Sequence, residues 1–316
     1  MRKYRNDFDS KDTIKKIKEI ENSPHMQRQL NIVKNGMKEK VLNPLAIGCG
    51  GIIILFLLIV IAKDYFIFSV LILWYFGSKY LKKNKMDIGN SYANNFLLPV
   101  LQTILPDTEI NYFGGIDTKV LKRLLYDSEK YYSNCHITFG DDIKTEFCNM
   151  QSFHYATDSN GNDVLKNDFV GQVLLANMET GISGHIRIVP IVEKNFIGIK
   201  NYGWYGKKRK EEKEIQTESI DFNNSYSIFS TDDFYTRLIL DPKIIDILTK
   251  WDDKMRVSLY MNGDFIAISF ESNENLFPTP STKEEVDNLS LSGEYEKIRE
   301  KLVDFYKLID IVRGKL

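Results

Sequence analysis

The feature that most constrains this chain is a long apolar segment near its N-terminus. Residues 45–62, LAIGCGGIIILFLLIVIA, contain no charged side chain. At about 1.5 Å of rise per residue, a helix of this length approaches the hydrocarbon thickness of a bilayer, about 30 Å. A second apolar run covers residues 65–81, and it reaches spanning length if Lys79 extends its amine to the interface. The sequence therefore predicts two membrane-spanning helices.

A charged pair, Lys63 and Asp64, separates the two apolar runs. A charge at the middle of a bilayer costs roughly 3 kcal/mol, and a turn at the far interface removes this cost. We therefore expect a helical hairpin with the charged pair at its turn. A secretory signal peptide does not fit, because a long polar segment precedes the first run. A hydrophobic hairpin buried in a globular core stays open as an alternative.

Lysines flank the predicted hairpin on both of its outer sides. Those before the first run are Lys34, Lys38 and Lys40, and those at the end of the second run are Lys79, Lys82, Lys83 and Lys85. The turn offers only Lys63, which Asp64 offsets. Because cytoplasmic flanks carry the excess of positive charge, both ends of the hairpin are predicted to face the cytoplasm. We expect a multi-pass protein of the cell membrane with two spans and both termini in the cytoplasm.

Composition limits the partners and the compartment. The chain carries 42 Lys and Arg against 43 Asp and Glu, and its formal net charge of -1 gives no reason to expect a nucleic-acid partner. Its three cysteines cannot build a disulfide framework, since Cys49 lies within the first apolar run. Free thiols at Cys135 and Cys148 agree with a reducing compartment.

These patterns divide the chain into three regions. Residues 1–43 are predicted to form a charged helical arm that is interrupted at Pro24. Residues 44–85 contain the membrane hairpin. Residues 86–316 are predicted to form a cytoplasmic domain, which ends in an amphipathic helix over 282–313.

The largest of these regions mixes helical and strand patterns. Asn160-Gly161 and Asn262-Gly263 separate alternating runs of residues, which is typical of β-hairpins. Asp232 and Asp241-Pro242 have the chemistry of helix starts. The sequence therefore predicts an α+β fold with a largely antiparallel sheet and flanking helices.

The order of these features resembles a known bacterial family. After the hairpin, a short strand, an acidic helix start, a Leu-x-Pro segment and a second hairpin follow one another. The matching positions are Phe222, Phe229, Asp232, Leu240, Pro242, Leu248, residues 265–268 and Phe277-Pro278. This pattern is similar to the family catalogued as domain of unknown function 3137, over the chain from the hairpin to about residue 280. The resemblance implies a bacterial integral-membrane protein with a cytoplasmic domain, and the association of members with LemA-like membrane proteins implies a membrane partner. The family carries no established activity.

Candidate sites are few in this sequence. It has no CxxC, HxxxH, HExxH or P-loop spacing, so we predict no metal and no cofactor, and no catalytic residue is identified. Two histidines and a glycine-rich aromatic segment are the residues most suited to contact a ligand or a surface. They are His154, His185, Tyr202, Trp204 and Tyr205. Residues 207–213, KKRKEEK, are predicted to form a solvated loop, with a phosphate-binding patch as the alternative.

Together these observations favour a non-enzymatic interaction module that is anchored to the membrane. Its expected partners are the lipid bilayer and another membrane or membrane-associated protein, which would contact apolar stripes near residues 30–41 and 295–312. The alternative is a membrane-tethered enzyme or ligand sensor. That alternative requires a pocket in the sheet domain near His154, His185 and residues 201–206.

Overall fold

The computed structural model describes residues 8–41, 66–194, 199–252, 254–272 and 275–314. The predicted first span and the pair Lys63-Asp64 lie outside these residues. The chain divides into two compact units. The sheet unit comprises Met1–Thr13, Leu101–Pro278 and Glu296–Leu316, and the helical unit comprises Ile14–Val100 and Thr279–Tyr295.

The α-helices are named here in chain order. They are α1 (Lys11–Asn22), α2 (Pro24–Lys40), α3 (Phe66–Tyr92), α4 (Leu98–Ile104), α5 (Thr118–Leu124), α6 (Ile220–Ser225), α7 (Asp233–Ile239), α8 (Pro242–Asp252), α9 (Lys283–Asp287) and α10 (Leu291–Arg313). A π-helical turn, Ala93–Leu97, joins α3 to α4. The C-terminal helix predicted over 282–313 is thus divided into α9 and α10.

The helical unit begins with the predicted N-terminal helices. Pro24 occupies the first turn of α2, where its missing N–H costs nothing, and the Met26 N–H donates to the capping Ser23 Oγ at 3.3 Å. Glu21 accepts hydrogen bonds from the first backbone N–H groups of α10, at 2.8 Å from Leu291 and 3.2 Å from Ser292. A carboxylate at this position complements the helix dipole.

The two apolar stripes that were expected to receive a partner are largely buried. In α2 and at its end, Leu30, Met37 and Val41 are buried, and so are Ile298 and Leu302 of α10. These side chains contribute to the core of the protein itself. The prediction that both stripes form a partner surface is therefore wrong.

The strands form one large sheet and one small ribbon. They are β1 (Glu109–Asn111), β2 (Lys130–Thr138), β3 (Glu146–Thr157), β4 (Asp163–Asn177), β5 (His185–Pro190), β6 (Glu193–Lys194), β7 (Lys200–Asn201), β8 (Lys213–Ile215), β9 (Tyr226–Ser230), β10 (Val257–Asn262) and β11 (Phe265–Glu271). Nine of them pair in the order β1-β2-β3-β4-β11-β10-β5-β9-β8, while β6 pairs with β7. Every ladder in the described chain is antiparallel, as predicted.

Local turn chemistry places both predicted hairpins. Gly161 adopts a φ of 83° between β3 and β4, a conformation that favours glycine. Between β10 and β11, the Asn262 side chain accepts from the Asp264 and Phe265 N–H groups at 3.1 and 3.0 Å. These bonds fix the register in which Met261 pairs with Ile266.

Helices cover both faces of the large sheet. On one face, Leu121 and Leu124 of α5 pack with buried residues of the central strands and with Tyr205. On the opposite face, Trp251 of α8 meets Phe270 edge-on, with 5.0 Å between ring centroids. Phe8 and Tyr306 stack at 5.5 Å near the N-terminus. The fold predicted as α+β with flanking helices is confirmed.

Helix α3 differs from the others along its first turns. Its exposed large apolar residues up to position 81 are Ile67, Phe68, Leu71, Ile72, Leu73, Trp74, Tyr75, Phe76, Tyr80 and Leu81. Further along, Asn84, Ile88 and Tyr92 are buried at a spacing of four residues, so only one side of the helix packs. Within the described ranges, no helix combines the length and apolarity that crossing a membrane requires.

Candidate functional site

The residues singled out in the sequence lie around one loop of the sheet unit. This loop, residues 202–212, is called the clamp loop here, and it begins with a 3-10 turn at Gly203–Tyr205. The Asp127 N–H, just after α5, donates to the Trp204 carbonyl oxygen at 3.1 Å. Gly206 has a φ of 83°, and a Cβ there would lie 3.1 Å from the Tyr126 Cβ. The loop therefore packs closely against the end of α5.

One histidine-carboxylate pair lies beside the start of the clamp loop. His154 Nδ1 of β3 bonds to the Asp168 carboxylate of β4. Asp168 is the extra residue of a β-bulge, because Ser152 pairs with Phe169 while the next residue, Phe153, pairs with Asn167. A bulge redirects a side chain that regular pairing would point elsewhere.

The Asp168 carboxylate is closed off from solvent and held in place. Ser128 Oγ donates to Asp168 Oδ2 at 2.8 Å and lies 2.9 Å from Ser152 Oγ. Trp204 stacks on the imidazole of His154, with 4.2 Å between ring centroids and 24° between planes. Because the carboxylate engages Nδ1, Nε2 is the nitrogen left to accept a proton or contact a ligand.

The second histidine-carboxylate pair, His185 and Glu212, lies at the far end of the clamp loop. Glu212 Oε1 lies 2.7 Å from His185 Nε2 and accepts from Arg187 Nε at 2.7 Å. Its other oxygen accepts from Arg187 Nη2 at 2.9 Å and from the Arg209 backbone N–H at 2.7 Å. Burial alone would raise the pKa of Glu212, but the hydrogen bonds from His185 and Arg187 outweigh it and lower that pKa to about 2.

Arg187 joins the clamp loop to the sheet. It is 1% exposed, on β5, and its remaining hydrogen bonds go to the carbonyl oxygens of Tyr205 at 3.0 Å and Lys207 at 2.8 Å. A bidentate bond to Glu212 and two bonds to backbone satisfy most of the guanidinium. Arg187 and Glu212 therefore hold the loop at both ends against the sheet.

Two further arginines lie close to this pair. The Arg209 guanidinium is 3.9 Å from the centroid of the Tyr126 ring, and Arg123 of α5 lies over Tyr260 at 5.9 Å. Nε and Nη2 of Arg209 are buried, and neither has a hydrogen-bond acceptor among the described residues. Burial and the positive charge of Arg187 lower the pKa of Arg209, although Glu212 opposes them.

The aromatic residues of the loop have different environments. Tyr202 and Tyr205 are buried, with their hydroxyl groups bonded to Ser227 at 3.0 Å and Glu271 at 2.8 Å. Trp204 is half-buried on His154. The structure thus brings His154 to Trp204, and it links His185 to Tyr205 through Arg187 and Glu212.

Sequence reasoning missed Asp168, Arg123 and Arg187, and it considered Arg209 and Glu212 only as part of the charged segment 207–213. One signal was present, since an arginine in the apolar strand HIRIVP needs a buried partner. The solvated loop predicted for residues 207–213 is wrong at Glu212, which is 2% exposed, and at the largely buried Arg209.

Other predicted positions lie away from this loop. In the described part of the chain, no three or more His, Cys, Asp or Glu residues are grouped as metal ligands. Burial raises the pKa of Cys148 to about 12. Of the residues predicted to flank a membrane, Lys79 lies over the Tyr75 ring at 5.1 Å, and Lys82 and Lys83 are exposed.

The fold and the clamp loop define an α+β protein built on a nine-stranded antiparallel sheet. Residues 167–314 match the family described as "Protein of unknown function (DUF3137)". The match starts within β4 and continues past residue 280 through α10, so it differs in extent from the resemblance described above.

No curated protein matches this chain. Among solved structures, the chain is similar to the crystal structure of the mycobacterial trehalose monomycolate transport factor A, TtfA. The identity is 8%, the TM-score is 0.37, and the similarity covers 65% of this chain and 88% of that chain.

Proposed function

We propose that this protein is a membrane-anchored interaction module, with both termini in the cytoplasm and residues 45–62 and 65–81 as its two spans. The observation that supports this proposal is the surface of α3. Ile67, Phe68 and Leu73 are 74%, 69% and 45% exposed, and at 3.6 residues per turn they point in different directions around the helix axis. A helix that is apolar on all sides needs an apolar environment all around it.

The size of this surface argues for lipid rather than for incidental exposure. Covering a large apolar side chain gains roughly 2 kcal/mol, and ten such residues are exposed along this part of α3. The apolar surface gives way to lysines at positions 79, 82 and 83, after which the helix packs on one side only. This order is expected of a helix that leaves a bilayer, with lysine amines at the interface.

Cysteine accessibility in intact cells tests the topology. In a Cys49→Ser background, Asp64→Cys should react with an impermeant thiol reagent added outside. Lys210→Cys, on the exposed part of the clamp loop, should react only after permeabilisation, while the buried Cys135 and Cys148 stay silent. Labelling of Lys210→Cys together with protection of Asp64→Cys would overturn the proposed orientation.

The interaction role has its own test. The full chain, expressed near its native level and extracted with a mild detergent, should bring down a second membrane or membrane-associated protein. A variant with Trp74→Arg and Phe76→Arg, which should no longer insert stably, serves as the control. Recovery of the chain alone from native membranes would count against an interaction module.

A ligand sensor or enzyme tethered to the same membrane is the second candidate. It is favoured by the position of His154 and Arg187, which contact the same short loop from different strands. The two residues contact consecutive positions of that loop, Trp204 and Tyr205. A ligand bound at this loop would therefore meet groups from several elements of the sheet unit.

A further inference from the structure

The clamp loop contains more positive charge than its carboxylates neutralise. Tyr260 lies within electrostatic range of Arg123, Arg187 and Arg209, and Glu212 is the single acidic group in that set. Arg187 takes both oxygens of Glu212, and His185 shares one of them. One carboxylate thus serves several cations.

The side chain of Arg209 makes no hydrogen bond to the Glu212 carboxylate. Its Nε lies 3.9 Å from Glu212 Oε1, which is beyond hydrogen-bond distance. Nε and Nη2 are buried without an acceptor in the described chain. A buried donor without a partner costs about 1–3 kcal/mol, and more when it is charged. An added acceptor of negative charge would remove this cost.

The surroundings of Arg209 favour an anion, and part of its side chain is accessible from solvent. The Arg209 side chain keeps 11% of its surface exposed, so part of it reaches solvent. Arg123, whose positive charge acts on Arg209, is exposed on α5. The face of the Tyr126 ring holds the guanidinium from one side.

The shape of the donors indicates the kind of anion. A guanidinium presents its N–H groups as a planar fork, which matches two oxygens of a phosphate or carboxylate. Several cations around one point favour a doubly charged group with several acceptor oxygens, as a phosphate monoester provides. Positive potential in a partly buried site also increases the local concentration of such anions.

We propose that the sheet unit binds a phosphate group between α5 and the clamp loop, with Arg209 and Arg123 as its donors and Arg187 as the buried charge behind them. The phosphate is either free or part of a lipid headgroup. This inference is independent of the membrane anchor, because every residue involved belongs to the sheet unit. It assigns a ligand class to the second candidate function.

Titration calorimetry of the full chain in a zwitterionic detergent tests the site with inorganic phosphate, against chloride at matched ionic strength. The wild type should bind phosphate saturably. R209Q should weaken that binding about tenfold or more, since a charged hydrogen-bonding partner is lost. R123Q should weaken it several-fold, and K210Q, which changes an exposed lysine of the same loop, should bind like the wild type.

A stability measurement separates ligand binding from a structural role. In chloride, R209Q should melt no lower than the wild type, because it removes an unsatisfied buried charge; in phosphate, only the wild type and K210Q should gain stability. Flotation with phosphatidylcholine vesicles, with or without phosphatidic acid, identifies the source of the phosphate. Binding that depends on Arg209 and appears only with phosphatidic acid assigns a headgroup. Equal binding of phosphate by R209Q and the wild type, or no binding above chloride by either salt or vesicle, overturns the proposal.

Discussion

The bond between Glu212 and Arg187 is expected to hold the clamp loop, and Glu212→Gln tests it directly. The glutamine keeps the size of the side chain but removes its charge. Its amide N–H groups would also face the N–H donors of Arg187, which now bond to both carboxylate oxygens. The pKa of Glu212 is about 2 against an ordinary 4.5. That difference, at about 1.4 kcal/mol for each pH unit, corresponds to roughly 3 kcal/mol of stability.

Loss of one partner from a buried ion pair gives a similar figure, about 3–5 kcal/mol, because the other charge stays buried. For a unit of this size, a loss of about 3 kcal/mol lowers the melting temperature by roughly 6–12 °C. Circular dichroism of the full chain in detergent measures this change. Glu211→Gln is the matched control, since Glu211 is the adjacent residue and is exposed, and it should melt within a degree or two of the wild type.

The pH dependence provides a second measurement of the same bond. Folding lowers the pKa of Glu212, so its stabilisation is fully present above pH 4.5 and is lost as the pH falls from there towards about 2. The wild type and Glu211→Gln should therefore lose stability steeply over this range. Glu212→Gln should lose about 3 kcal/mol less. Parallel acid profiles for Glu212→Gln and the wild type would refute the reasoning, as would equal melting temperatures of the two glutamine variants.

Three further outcomes are expected. Gly206→Ala should destabilise the protein by about 1–2 kcal/mol, because a φ of 83° disfavours a side chain. Gly36→Ala within α2 meets no atom within 4 Å, so in the same melting experiment it should stabilise the protein by up to about 1 kcal/mol. Asp168→Ala should destabilise by about 1–3 kcal/mol, since it leaves His154 Nδ1 unpartnered, and an unchanged urea midpoint would contradict this. Cys148 should react with a maleimide at pH 8 only after unfolding, because burial raises its pKa to about 12; rapid labelling of the folded protein would show otherwise.

The features that the sequence predicted correctly have local causes. Asn262 and Gly161 form their turns through their own backbone and side-chain geometry. Asp232 caps α7 by accepting from the Tyr235 N–H at 3.1 Å. Such signals lie within a few residues of one another, so alternation and turn chemistry were enough to predict an antiparallel α+β fold.

The site depends on residues that are distant in the sequence, and this is why it was only partly predicted. Asp168 reaches His154 because a bulge interrupts the pairing of β3 with β4, and no alternation pattern in the sequence reveals where a bulge falls. The aromatic segment and the two histidines were recognised by residue type. The carboxylates and arginines that connect them were not.

Residues 207–213 were predicted to form a solvated loop, but two of their charged side chains are largely buried. A segment without apolar residues is normally solvated, because burying a charge without a partner is costly. Arg187 lies twenty-five positions from Glu212 and changes that balance, since its bidentate bond permits the carboxylate to be buried. The same bond occupies the carboxylate that lies 3.9 Å from Arg209 Nε. The segment therefore combines a satisfied ion pair that holds the loop with an unsatisfied guanidinium beside it, and the second follows from the first.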